Sequence, residues 1–289
     1  MAADTRPALW LVDKPAGPTS HDIVARVRRR LGRGVKVGHA GTLDPFATGL
    51  LVVLSGRATR LAAHMTGLDK RYLVTMRTGY TSATGDPEGP VEMSGAPAGG
   101  DAIAGALEGF RGRQRQRVPA YAAVKVDGER MYARARRGEE VEAPEREIVI
   151  HALDLLEDLG DGSAALAVHC SKGTYIRRLV MDIGAALGCG AYCTALRRTH
   201  VGSLSVDDAV APGDIRPGEG RDPAEGLTDL PRLAVTPDEA VELGHGRPIR
   251  RPDEGEVVLL CEGRLIALGR GGGDGWVRPH LVLRPAGER

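Results

Sequence analysis

The sequence predicts an α+β fold, with strands and helices mixed and no regular β-α-β alternation. Three observations carry this. Short apolar runs of strand length occur at "ALWLVDKPAG", "GLLVVLSG" and "KRYLVTMRTG". Two segments, "SHDIVARVRRRLG" and "TYIRRLVMDIGAALG", repeat their apolar residues at the helical period instead. The C-terminal "GEVVLLCEGRLIALGRGG" reads as a β-hairpin, followed by a strand in "WVRPHLVLRP".

Taken in order, "ALWLVDKPAG" is a buried strand that ends in a Pro/Gly turn. The helix after it places Ile23, Val27 and Leu31 on one face, with Ser20 as the expected cap and Gly32 as the stop. Arg26, Arg28, Arg29 and Arg30 leave its other surface basic. "GDPEGPVEMSGAPAGG" reads as a loop or edge region, and "DAIAGALEGFRG" as a short helix with Ile103, Leu107 and Phe110 on one face. Residues 113–137 hold eight basic and two acidic side chains with two interleaved tyrosines. That composition suits a nucleic-acid contact surface and equally a solvated insertion. A second long helix is expected after "CSKG", capped by Thr174 and stopped at Gly188, with Ile176, Leu179, Val180, Ile183 and Leu187 on its apolar face. The acidic, Pro/Gly-rich stretch 211–231 reads as a linker. Two divisions follow: a domain over 1–231, with a basic insertion at about 113–145, and a small β-rich module over 232–289.

A net charge of +1 over 289 residues conceals an asymmetry. Residues 1–80 carry 13 basic and 5 acidic side chains, whereas residues 205–256 carry 6 and 13. A polyanion partner for the N-terminal part follows from that split. Arginine supplies 34 of the 39 basic residues, which fits both a GC-rich genome and bidentate phosphate recognition. Cys170, Cys189, Cys193 and Cys261 form no paired CxxC motif, so reduced thiols and no metal site are expected. No signal-peptide pattern or membrane-spanning run is present, and a cytoplasmic location is expected.

One stretch departs from ordinary strand-and-turn chemistry. "GHAGTLDPFATGLL" holds a single carboxylate, Asp44, whose nearest acidic neighbours in sequence are Asp22 and Asp69. Asp-Pro commonly opens a turn, and that alone would account for it. However, Leu43, Phe46, Leu50 and Leu51 offer a dry surround, and a carboxylate there needs a cation to remain ionised. Arg177 is a candidate: it falls in the first turn of the second long helix, where the macrodipole disfavours a lone cation.

The stretch resembles the catalytic motif of the TruB family, the bacterial synthases that make pseudouridine 55 in tRNA. The resemblance extends in order and spacing to "LVDKPAGPTSHDIV", "KRYLVTMRTGYTSATGDPEG", "VPAYAAVKVDGERMYARARRG", "CSKGTYIRRLVMDIGAALGCGAY" and "LRRTHVGSL", over about residues 9–204. "LIALGR" and "VRPHLVL" resemble the end of a PUA-like RNA-binding module. The resemblance implies the pseudouridine synthase fold, a mostly antiparallel mixed sheet with an RNA-binding insertion and a PUA-like C-terminal module. It implies Asp44 as nucleophile, Arg177 as its cationic partner, and Tyr72 stacked on the target uracil near C5. Leu196 would keep the pocket dry, His39 would fill the stack left by the flipped nucleotide, Lys14 would support the site, and Tyr175 would line it. The implied partner is the T-arm stem-loop of tRNA, bound by a monomer with neither cofactor nor metal. Isomerisation brings in no group and oxidises nothing, so one carboxylate in a water-poor pocket suffices. Glycosidases ordinarily use two. An RNA-binding protein without catalysis and a guide-RNA-dependent relative are the rival readings.

Overall fold

The computed structural model describes residues 4–119, 125–126, 129–130 and 144–284. The chain divides into two compact units: Met1–Asp44, Gly49–Gly67 and Val201–Arg289 form the first, and Pro45–Thr48 with Leu68–His200 form the second. These divisions differ from the one read along the sequence, because the first unit gathers both ends of the chain.

In the first unit, β1 (Ala8–Lys14) runs antiparallel to β3 (Thr48–Ser55), with Ala8 opposite Ser55 and Lys14 opposite Gly49. The short β2 (Val37–His39) pairs with β3 as well, His39 opposite Val53. Helix α1 (Ser20–Leu31) lays Ile23, Val24, Val27 and Leu31 against Trp10, Val12, Leu51 and Val53 in one core. This is the apolar stripe that the 3.6-residue period predicts. Its cap is Thr19, not Ser20. Thr19 accepts from the Asp22 amide while Asp22 reaches back to the Thr19 amide, a reciprocal capping box. Gly32 ends the helix at φ 106°, a region that favours glycine. The short α2 (Ala62–Gly67) closes this segment.

In the second unit, β4 (Lys70–Thr78) is followed by a small hairpin of β5 (Tyr80–Ser82) and β6 (Val91–Met93), then α3 (Gly100–Leu107) and β7 (Gly112–Arg117). A two-residue ladder, β8 (Lys125–Val126) with β9 (Glu129–Arg130), precedes the long β10 (Glu145–Gly160). Next come β11 (Ser163–Cys170), α4 (Ile176–Ala186) and β12 (Ala191–Val201). The strand order is β12-β4-β11-β10-β7, and β4–β11, β10–β11 and β10–β7 are antiparallel. Residues 113–117 of the basic segment are therefore a sheet strand, opposite Glu145–Val149. Most of the remainder of the expected insertion lies outside the described residues.

Returning to the first unit, β13 (Leu204–Ser205) leads to the C-terminal β-rich domain. It comprises β14 (Arg232–Ala234), α5 (Pro237–Gly244), β15 (Ile249–Arg250), β16 (Glu254–Cys261), β17 (Arg264–Gly272) and β18 (Trp276–Val282), in the order β14-β16-β17-β18-β15. The expected hairpin is β16–β17, and only β14 pairs in parallel in this sheet. Val257, Leu259, Ile266 and Val277 form its core with Leu243 of α5. The α+β expectation holds. No helix among the described residues is long and apolar enough to cross a membrane.

Candidate active site

Asp44 lies in the loop between β2 and β3, half-buried, directly after the buried Leu43. The loop is fixed from below by Ser20. Its hydroxyl donates to the Leu43 carbonyl at 2.9 Å and accepts from the Leu43 amide at 2.8 Å. A side chain that the sequence assigns to capping thus satisfies both backbone groups of the residue before the carboxylate, groups that would be costly to leave bare in a buried place. The next four residues belong to the second unit, where the Thr48 hydroxyl donates to the Leu196 carbonyl at 3.4 Å. Pro45 restricts Asp44 to extended backbone geometry. In the same unit as Asp44, Lys14 is fully buried at the end of β1, and its ammonium donates to the Pro15 carbonyl at 2.9 Å. His39 is half-buried on β2.

Arg177 occupies the first turn of α4, and its side chain is only 5% exposed. A buried guanidinium demands a counter-charge, and within its own unit the structure supplies Asp86, 3.1 Å away and 3% exposed. Nη1 also donates to the Thr84 carbonyl at 2.6 Å. Asp86 is satisfied on its other oxygen, which accepts from the Thr84 hydroxyl at 2.5 Å and the Glu88 amide at 3.0 Å. The turn that carries it needs Gly85. The φ there is 75°, and a Cβ would stand 2.8 Å from the Met181 sulfur on α4. Asp86 was missed by the sequence reading, although "GDPEG" repeats the Asp-Pro signal that drew attention to Asp44.

Thr174 does not cap α4; its hydroxyl donates to the Ser171 carbonyl. The residue at the cap is Tyr175, which offers no side-chain bond to the helix. Its backbone is held instead by Gln116 of β7, whose amide oxygen accepts from the Tyr175 N–H at 2.8 Å and whose amide nitrogen donates to the Tyr175 carbonyl at 3.1 Å. Gln116 is buried although it sits among three arginines of the basic segment, at 113, 115 and 117. Nothing in local composition distinguishes it from a solvated residue. The Arg146 guanidinium stands 5.2 Å from the centre of the Tyr175 ring, within cation–π range.

Tyr72 is buried on β4, on the same face as Lys70, Val74 and Met76, with Val168 opposite it. Leu196 is buried on β12. Burial, with Arg198 nearby, pushes the Lys70 ammonium down to about 8, and burial pushes the thiol of its cross-strand partner Cys170 up to about 11. All four cysteines are free, three of them buried.

The family model "TruB family pseudouridylate synthase (N terminal domain)" matches residues 28–176, and the model "tRNA pseudouridylate synthase B C-terminal domain" matches residues 177–216. The chain belongs to the TruB family. A TruB-family relative from Synechococcus sp. (strain WH7803), named tRNA pseudouridine synthase B, is 43% identical over 296 residues, covering 96% of this chain and 97% of the relative. Another of that name, from Azoarcus sp. (strain BH72), is 41% identical over 289 residues, covering 94% and 93%. Among solved structures, an H/ACA RNP bound to a substrate RNA containing 2′-deoxyuridine superposes with a TM-score of 0.73 at 23% identity, covering 97% of this chain and 86% of that one. The archaeal box H/ACA sRNP Nop10–Cbf5 complex gives 0.72 at 23%, covering 98% and 88%. Both are likenesses of fold, extending over nearly the whole of this chain. The enzyme is accordingly an isomerase, a pseudouridine synthase of the tRNA-modifying TruB type.

Proposed function

We propose that this enzyme converts uridine 55 in the T-loop of tRNA to pseudouridine, with Asp44 as the nucleophile on a base flipped out of the RNA. The observation that carries the proposal is the half-buried Asp44 carboxylate of a TruB-family chain, held on a loop whose preceding residue is clamped at both backbone groups. The reaction breaks the N1–C1′ bond and joins C1′ to C5. The C5 proton leaves, N1 ends protonated, and the composition of the nucleoside is unchanged. A carboxylate assists the cleavage by attack at C1′, by addition at C6 or by supporting elimination, and a water-poor pocket prevents hydrolysis of the detached sugar. Arg177 acts as the cationic partner of Asp44. A guanidinium presents five N–H donors in a fixed fork, enough to serve Asp86 and a second carboxylate together.

Tyr72 stacks on the uracil and assists removal of the C5 proton, while Leu196 and Tyr175 exclude water around it. His39 fills the space in the RNA stack left by the flipped nucleotide, and Lys14 supports the loop. The partner is the T-arm stem-loop, bound by a monomer in the cytoplasm. Residues 1–231 carry catalysis, the basic insertion at about 113–145 closes on the loop, and the PUA-like module 232–289 adds affinity. Backbone phosphates supply much of the binding, so affinity falls as salt rises. The decisive experiment incubates the purified chain with an unmodified tRNA transcript, without cofactor, metal or guide RNA, and maps pseudouridine by mass spectrometry. Product at position 55 alone is expected. Product at another position, or strict dependence on an added guide RNA, overturns the assignment.

A further inference from the structure

We infer that Asp69, His151 and His169 form a binding site for a divalent transition-metal ion of the zinc type, on the sheet face opposite Tyr72. One ligand atom from each residue lies within 4.8 Å of the other two. Asp69 Oδ2 is 3.0 Å from His151 Nε2 and 3.9 Å from His169 Nε2. Zinc binds imidazole nitrogen and carboxylate oxygen at about 2.0–2.2 Å, so tetrahedral ligands around it stand roughly 3.4 Å apart. The two measured separations bracket that value. The three residues converge without rearrangement of the backbone, and an ion needs only rotations of exposed side chains.

The convergence has a specific cause in the ladder. Ile150 is opposite Cys170 and Ala152 is opposite His169, so His151 is the extra residue of a β-bulge in β10. A bulge sets two residues against one and re-aims a side chain. The register of Ile150 with Cys170 already sets His151 across from His169 on one face, and with the bulge in place the two rings remain adjacent, with centroids 4.7 Å apart and planes 43° from one another. Asp69 comes from the residue just before β4, where Arg71 is the partner of His169 in the next ladder. The cluster therefore spans three adjacent strands. Its side chains are between about a third and a half exposed, leaving a fourth coordination position to solvent.

Two imidazoles and one carboxylate select zinc, cobalt, nickel or copper over magnesium or calcium, which prefer all-oxygen sets. Arg71 shares the face with His169 and opposes the ion's charge, while Asp69 offsets it. A bound ion would tie β4, β10 and β11 together and raise stability by mass action. On the opposite face of β4, Tyr72 and Lys70 point into the buried side, so the ion takes no part in the uracil chemistry.

The test uses the full chain, with zinc chloride in isothermal titration and cobalt chloride in absorption spectroscopy. One saturable zinc site is expected, with a cobalt spectrum that lacks a thiolate charge-transfer band and a melting temperature that rises on zinc addition. H151A and H169A should each weaken binding by roughly 10- to 100-fold or more, the range seen even for losses outside the first ligand set. R71Q should tighten it. D69N, the most conservative change, guards against a variant that fails to fold, and circular dichroism checks each one. Absence of saturable binding, affinity unchanged in the histidine variants, or a thiolate band pointing to the cysteines would each overturn the site.

Discussion

The loop that carries Asp44 and the helix start that carries Arg177 are built on different principles. The carboxylate sits half-buried on a turn whose preceding residue, Leu43, is held at both backbone groups by the Ser20 hydroxyl. The guanidinium is almost wholly buried and over-determined: an ion pair to Asp86, a carbonyl bond to Thr84, and a glutamine clamp on the residue before the preceding one in the helix turn. Under the proposed function Asp44 is a nucleophile that must reach a substrate, and a restrained backbone with a half-buried head group suits that role. A charge-holding group has no such need. Burial strengthens its field, provided that every neighbour is satisfied.

Asp44→Asn separates the two regions most sharply. Pseudouridine formation should fall on the order of a thousandfold or more, with tRNA binding and melting temperature near those of the parent. Ordinary turnover by this variant would sink the nucleophile assignment. Asp86→Ala should act through folding instead. It removes the carboxylate 3.1 Å from a buried guanidinium, and breaking a buried ion pair costs about 3–5 kcal/mol, read as a lower urea midpoint. If Asp86→Ala unfolds like the parent, Arg177 is not held as described. Ser20→Ala is expected to cost about 1–3 kcal/mol, because the Leu43 amide and carbonyl lose their shared partner. Its activity should fall more than its stability, since the loop slackens beside Asp44. An equal effect on both would make Ser20 merely structural.

The smallest effect is on pH dependence, where two cross-strand neighbours oppose one another. Below about pH 8 Lys70 is protonated in both states, and the cost of burying its charge is fully present. Between about 8 and 10.5 the folded chain has shed that proton while the unfolded chain keeps it, so stability rises with pH. Cys170 runs the other way. Between 9.0 and about 11 the unfolded thiol ionises and the folded one does not, so stability falls. Lys70→Met should therefore expose a decline above pH 9, and Cys170→Ala a rise above pH 8, in denaturation midpoints followed across that range. Identical profiles for both variants would mean that neither group titrates as its burial demands.

How far the sequence could be read depended on whether a feature was local. The apolar face of α1, the run of β3 and the β16–β17 hairpin follow from periodicity and composition. Such patterns reflect only which side of an element meets water. Asp44 and Arg177 stood out because one is an isolated acid and the other a cation placed against a helix dipole. The caps at both long helices differ from those expected, since Ser and Thr hydroxyls are chemically interchangeable until other backbone groups claim one of them. Ser20 is claimed by the Leu43 backbone and Thr174 by the Ser171 carbonyl. The histidines are not legible as a pair, because the register that sets 151 beside 169 is fixed by the pairing of two strands and not by local sequence.

By itself, then, the order of residues determined the element types, the motif series that marks a TruB-family chain, and the two charged groups assigned to its chemistry. Tertiary structure alone decided which carboxylate neutralises Arg177 within its unit, which glutamine among arginines goes inside, and where Asp69, His151 and His169 meet. The reason is physical. Secondary structure is set by neighbours three or four positions away, whereas buried charges and polar groups are satisfied by whatever the folded chain brings within about 3 Å.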